Sequence, residues 1–169
     1  MHSDSTPPTH PLDIFFRHNR WANLLLFDAC LELDEAQLEY AAEGTYGSIK
    51  ATLSHIVFSE ERYIFHITGG KQMADAQRPT STTSLTELRD RVATSGETLL
   101  QLATSLDGSV RVAVGSGDDT HLIAIEALLL QAIHHANEHR THIETMLGQL
   151  GVAPPGLSGW RYFDEQIMR

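Results

Sequence analysis

Between Ser84 and Leu106 the residues Leu85, Leu88, Val92, Ser95, Leu99, Leu102 and Leu106 recur at steps of three and four, almost without interruption. An α-helix turns by about 100° per residue, so only a helix gathers these positions into one stripe. A stripe this narrow is the seam of a helical bundle. Helical spacing recurs at Leu12, Phe15, Phe16, Ala22, Leu26, Ala29, Cys30 and Leu33. It recurs again at Ile49, Leu53, Ile56, Val57, Ile64 and Ile67, where Ser48 is the expected N-cap and Gly69-Gly70 the stop. A fourth helix is expected from about Ala124 to Gly151. With 169 residues and 41% hydrophobic content, the chain is long and apolar enough for one core. The expectation is an all-α, four-helix bundle over residues 12–169, preceded by a flexible, proline-rich lead at 1–11.

The breaks between helices fill in the connections. Leu33-Asp34-Glu35 reads as a helix end followed by an Asp-capped short turn, and Gly44 to Gly47 interrupts the chain again. The polar stretch Lys71–Thr83, with Pro79, reads as a long crossover loop. Ser84 caps the third long helix and Asp107-Gly108 ends it. Val110, Val112 and Val114 alternate with Arg111 and Ala113 ahead of His121 to Ile123, the pattern of a small β-hairpin. The tail Leu157–Arg169 carries Trp160, Tyr162 and Phe163, a short aromatic helix that closes one end of the bundle or meets a second copy.

Charge excludes several partners. Twelve basic against 22 acidic residues leave a formal charge of −10, the wrong sign for a nucleic-acid or anionic membrane surface. No apolar run reaches transmembrane length, and Met1–Pro11 has no signal-peptide pattern, so a cytoplasmic location is expected. Cys30 is the single cysteine and falls in an apolar stripe, so a metal site would be built from histidine and oxygen ligands.

The chemistry concentrates in His134-His135-Ala136-Asn137-Glu138-His139-Arg140-Thr141-His142. On a helix His135 and His139 lie one turn apart on one face, and His142 falls close to the same stripe. The i, i+4 pair is the spacing by which one helix offers a cation two imidazoles. The helical wheel places His135 and His139 on the buried half, and Glu126, Asn137, Arg140 and Glu144 on the opposite half. Inward histidines are either neutral and hydrogen-bonded or bound to a metal. His135 to His139 also spells H-x-x-E-H, the inverted zinc-protease pattern with Glu138 as base, but such enzymes take a third ligand from a downstream helix and only a short tail follows here. Di-iron bundles need Glu-x-x-His on two helices, and that tetrapeptide is absent. Asn19 and Asn23 lie in the stripe of the first helix, and their amides require partners on neighbouring helices or in a polar cleft. His55 lies off the aliphatic stripe of the second long helix, beside Ala51, Phe58, Ser59, Arg62 and His66; the pattern alone makes it a surface residue.

Three stretches together resemble the DinB/YfiT-like metalloproteins: His18-Asn19-Arg20-Trp21-Ala22-Asn23, Gly47 to Ile56 (GSIKATLSHI) and His135 to Leu147 (HANEHRTHIETML). The resemblance implies a four-helix bundle with a long crossover, commonly dimeric. It also implies a divalent metal held by one histidine of the second long helix and an H-x-x-x-H pair on the fourth, which are His55, His135 and His139 in this chain. Where the family often continues His-Arg-Gly-Gln, this chain has His139-Arg140-Thr141-His142. His142 is thereby a candidate to support the ligands, touch substrate or compete as a ligand. Asn19, Asn23 and Trp21 are candidates to line the cleft, and Glu138 is a candidate base. Three neutral nitrogens suit zinc or nickel, and also iron or manganese. The implied activity is that of a metal-dependent hydrolase, or of a thiol S-transferase that uses a low-molecular-weight thiol on a small molecule. The other reading is a non-catalytic, metal-binding dimeric module of the stress response. A plain helical protein with hydrogen-bonded core histidines would have no metal at all.

Overall fold

The computed structural model describes residues 10–70, 78–105, 109–115 and 117–168. Residues 1–9 of the proline-rich lead, the first seven residues of the Lys71–Thr83 loop, the last seam position Leu106 and the Asp107-Gly108 stop lie outside them. Four long helices carry the fold: α1 (Pro11–Cys30), α3 (Ile49–Ile67), α4 (Leu85–Ser105) and α5 (Ile125–Gln149). A single turn, α2 (Glu35–Leu38), lies between the first two, and α6 (Gly159–Gln166) forms the tail. Their starts are chemically marked. Pro11 opens α1, Asp34 and Gln37 form a reciprocal capping box on α2, and the hydroxyls of Ser48, Ser84 and Ser158 accept the N–H of Ala51, Glu87 and Arg161. Gly69 and Gly70, both at positive φ, end α3 as expected.

Around the bundle the order is α1, α4, α3, α5, so α1 and α3 are diagonal, as are α4 and α5. Two apolar clusters fix the direction of each helix. One contains Leu26 and Phe27 of α1, Ile49 and Leu53 of α3, Leu85 and Leu88 of α4, and Ile143 and Met146 of α5. The other contains Phe16, Ile64, Leu99 and Ile125 from the same four helices. α3 and α4 therefore both start at the first cluster and end at the second. They are parallel neighbours, so the chain between them must return the length of the bundle. This is the long crossover expected at Lys71–Thr83. The expected hairpin is also present: β1 (Arg111–Val114) pairs antiparallel with β2 (His121–Ala124), with Val112 opposite Ile123, around a short 3-10 turn at Gly117–Asp119. It packs on α3 and α5, and Val112, Val114 and Ile123 extend the second cluster.

Between the two clusters lies a polar layer with one residue or more from each long helix. The Nδ2 amides of Asn19 and Asn23 donate to Glu60 Oε1 at 3.0 and 2.8 Å, and Ser95 Oγ donates to Glu60 Oε2 at 2.6 Å. Arg140 Nη1 donates to Oδ1 of both asparagines at 2.7 Å. Arg140 is 2% exposed, which corrects its expected place on the outer half of the last long helix. The wheel centred the inward half on Leu128 and Met146, whereas the buried face of α5 extends to Leu129, Ala136, Ile143 and Leu147, on whose side Arg140 lies; a guanidinium is buried readily there because neutral amides link it to a buried carboxylate. Burial pushes the Glu60 carboxyl up and the Arg140 guanidinium down to about 10, against the pull of each charge on the other. Nearby, Gly96 lets α1 and α4 approach closely, since a Cβ there would stand 2.9 Å from Arg20 Cγ. No helix among the described residues is long and apolar enough to cross a membrane.

Replacing Arg140 by Leu leaves Glu60 buried without its countercharge, and urea unfolding should show a loss of about 3 kcal/mol. Adding Glu60→Gln should recover most of it, because the two residues act as one unit. Additive losses would contradict that coupling.

Candidate metal centre

The site lies where α3 faces α5. The aliphatic stripe of α3 is directed into the core, with Leu53, Ile56 and Val57 fully buried, and the neighbouring His55 is left half-buried at the α5 edge. On α5, Ala132, Ala136, Ile143 and Met146 hold the buried face. His135 and His139 flank Ala136, one turn apart, and their rings reach across to α3.

The three rings converge through the same atom. His135 Nε2 stands 2.9 Å from His55 Nε2 and 3.1 Å from His139 Nε2. One ligand nitrogen from each of His55, His135 and His139 can be chosen with all three within 4.8 Å of one another, so the group could hold a metal ion. Two imidazole nitrogens on one tetrahedral zinc stand about 3.3 Å apart, close to the spacings found. Each neutral ring has a single proton, so hydrogen bonding cannot use all three converging nitrogens as well as one cation would.

Electrostatics keeps these rings neutral. Burial lowers His135 to about 4, helped by His139 and His55. Burial also lowers His139 to about 4, with His55 and His142 adding to the effect and Glu138 opposing it. His55 is lowered by burial and then by the charge of Arg78. At neutral pH all three retain the lone pair that a ligand needs.

The other candidates take different places. Glu138 is exposed and makes no hydrogen bond among the described residues. His142 stands beyond His139, ring centres 5.5 Å apart, outside the group of three. Its Nδ1 and that of His139 are buried without a hydrogen-bond partner among the described residues. Asn19 and Asn23, each 1% exposed, are spent on Glu60 and Arg140 in the polar layer. Of the two alternatives open for these amides, partners on neighbouring helices is the one realised. Trp21 packs with His18 and Tyr162 at ring distances of 5.6 and 5.4 Å, where α6 meets α1.

Tyr46 was not singled out by the sequence. Its ring lies 4.0 Å from that of His55 and within 12° of parallel, and it meets His139 edge-on at 5.1 Å. Stacking of this kind fixes the plane of the His55 ring. A lone tyrosine in the Gly44–Gly47 break carries no signal of this role beyond its position just before α3. Two cavities open beside His55. One, of about 290 Å³, is bordered by Tyr46, Ser54 and Phe58. The other, of about 370 Å³, is bordered by Phe58, Tyr63, Leu128, His135 and Val114 of the hairpin.

Comparison with the curated proteins finds no match. The model of the DinB family matches residues 6–169, which takes in all four long helices, the hairpin and the three converging histidines. This chain belongs to the DinB family.

Proposed function

We propose that His55, His135 and His139 hold one divalent cation, preferably zinc or nickel, with iron or manganese suited to the same donors. On this reading the protein is a metal-dependent enzyme acting on a small molecule, either a hydrolase or an S-transferase that uses a low-molecular-weight thiol. The convergence of three neutral Nε2 atoms at the edge of open cavities carries the proposal. A cation bound there would supply Lewis acidity, lowering the pKa of a water or thiol and polarising an electrophile. The chain's own residues do the rest. Burial holds the three rings deprotonated, Tyr46 fixes the plane of His55, and α5 sets His135 and His139 one turn apart. Cavities of about 290 and 370 Å³ suit a metabolite-sized ligand rather than a polymer.

The homodimer and the cytoplasmic location are part of the same proposal. Trp160, Leu122 and Met168 are 83%, 75% and 70% exposed, apolar surface that a second copy would cover.

Full-length protein purified without chelator should contain about one divalent metal per chain by mass spectrometry, falling below about 0.1 in His135→Ala and His139→Ala. His142→Ala should retain the metal. Metal content unchanged in His135→Ala would refute the site.

In chelator-treated protein the unfolded chain takes up protons near the ordinary histidine value of 6.5, whereas folded His135 and His139 resist protonation until about 4. The unfolded state binds more protons over this window, so stability should fall as pH drops from about 6.5 to about 4. The melting temperature of wild type should follow that slope, and the His135→Ala/His139→Ala variant should show less of it.

Glu138→Gln separates the two chemistries. If Glu138 is the base of a hydrolase, kcat should fall by about 10²-fold or more with the metal retained. Unchanged turnover would remove Glu138 from the reaction.

A further inference from the structure

The cavity that exposes His55 and His135 also contains two arginines, Arg62 and Arg78, and no carboxylate among the described residues lines it. Elsewhere on this acidic chain cations meet acids: Arg17 pairs with Asp13, Arg20 with Glu97, Arg89 with Asp28, Arg91 with Glu61, and Arg161 with Glu165. Arg62 and Arg78 have no such partner among the described residues. Both are exposed, and both guanidinium carbons lie over the ring of Phe58, at 5.9 and 5.6 Å from its centre. One aromatic ring thus holds two like charges at the mouth of the cavity. An anion between them would relieve their repulsion and use guanidinium forks that no group among the described residues occupies.

We infer that Arg62 and Arg78, set on Phe58, form an oxyanion subsite, and that the ligand of this protein carries a carboxylate or similar anionic group opposite the end that meets the three histidines. The apolar wall of Leu128 and Val114 lies along the same cavity and suits a short hydrocarbon body between the two ends. The net charge of −10 repels anions at long range, so preference for one must arise locally, from these two side chains. The reacting end rests on the metal reading above, whereas the anionic end depends on the arginines alone.

Calorimetry on the full-length, zinc-loaded protein should compare 3-mercaptopropionate with its neutral isostere 3-mercapto-1-propanol. The carboxylate should bind at least about 10-fold more tightly. In Arg62→Gln/Arg78→Gln the two thiols should bind equally, with metal content and affinity for the alcohol unchanged. Equal binding to wild type, or a preference that survives the double variant, would overturn the inference. Replacing the carboxylate by 3-mercapto-1-propanesulfonate distinguishes a planar from a tetrahedral oxyanion, and a preference for either over the alcohol supports the subsite. A separate arm needs no metal. Saturation-transfer NMR on chelator-treated protein should detect 3-phenylpropionate and not 3-phenyl-1-propanol, and lose that contrast in the double variant. Failure of the metal site would leave this contrast intact, and its absence would count against the arginines alone.

Discussion

Glu60, in the middle of the bundle, is the group on which the rest depends. A carboxylate this deeply buried is stable only when every oxygen has a donor, and three side chains on two helices supply them: Asn19 and Asn23 of α1, and Ser95 of α4. The asparagines in turn accept from Arg140 of α5. All four long helices are thereby tied at one level by polar contacts that tolerate little sliding, while the apolar clusters above and below supply most of the burial. Hydrophobic surface is non-directional and would permit several helix registers. Hydrogen bonds of this geometry select one.

That selection reaches the three-histidine site through the chain itself. Arg140 follows His139 directly, so locking its guanidinium against α1 also sets the height and rotation of α5 at the point where His135 and His139 leave the helix. Glu60 lies little more than a turn from His55 on α3 and does the same there. Helical spacing creates a pair of imidazoles, but a third nitrogen must arrive from another helix within a few tenths of an ångström to complete a ligand set. The polar layer accounts for that accuracy.

The cavities beside His55 show how connections shape the pocket. The hairpin between α4 and α5 contributes Val114, the stretch before α3 contributes Tyr46, and Arg78 lies on the return from α3 to α4. The three histidines belong to helices, and much of the surrounding wall belongs to the segments joining them. A helical frame thus sets the three imidazoles, and loops positioned on it shape part of the pocket beside them.

The repeats of three and four in α1, α3, α4 and α5 determined the helices, and the serines and glycines at their ends determined the boundaries, because both follow from local geometry. His135 and His139 were legible for the same reason: one helix contains both, and its periodicity places them on one face. His55 was not, since its position off the aliphatic stripe of α3 marks it as surface until α5 is packed alongside; only family resemblance pointed to it. Arg140 misled the helical wheel because its burial depends on Asn19, Asn23 and Glu60, residues 80 to 121 positions away whose arrival no local pattern encodes. Tyr46, Arg62 and Arg78 acquired meaning by the same route, through neighbours across the bundle. Residue spacing along a helix is a property of the sequence, whereas the point at which three rings meet, and what surrounds it, is a property of how the helices pack.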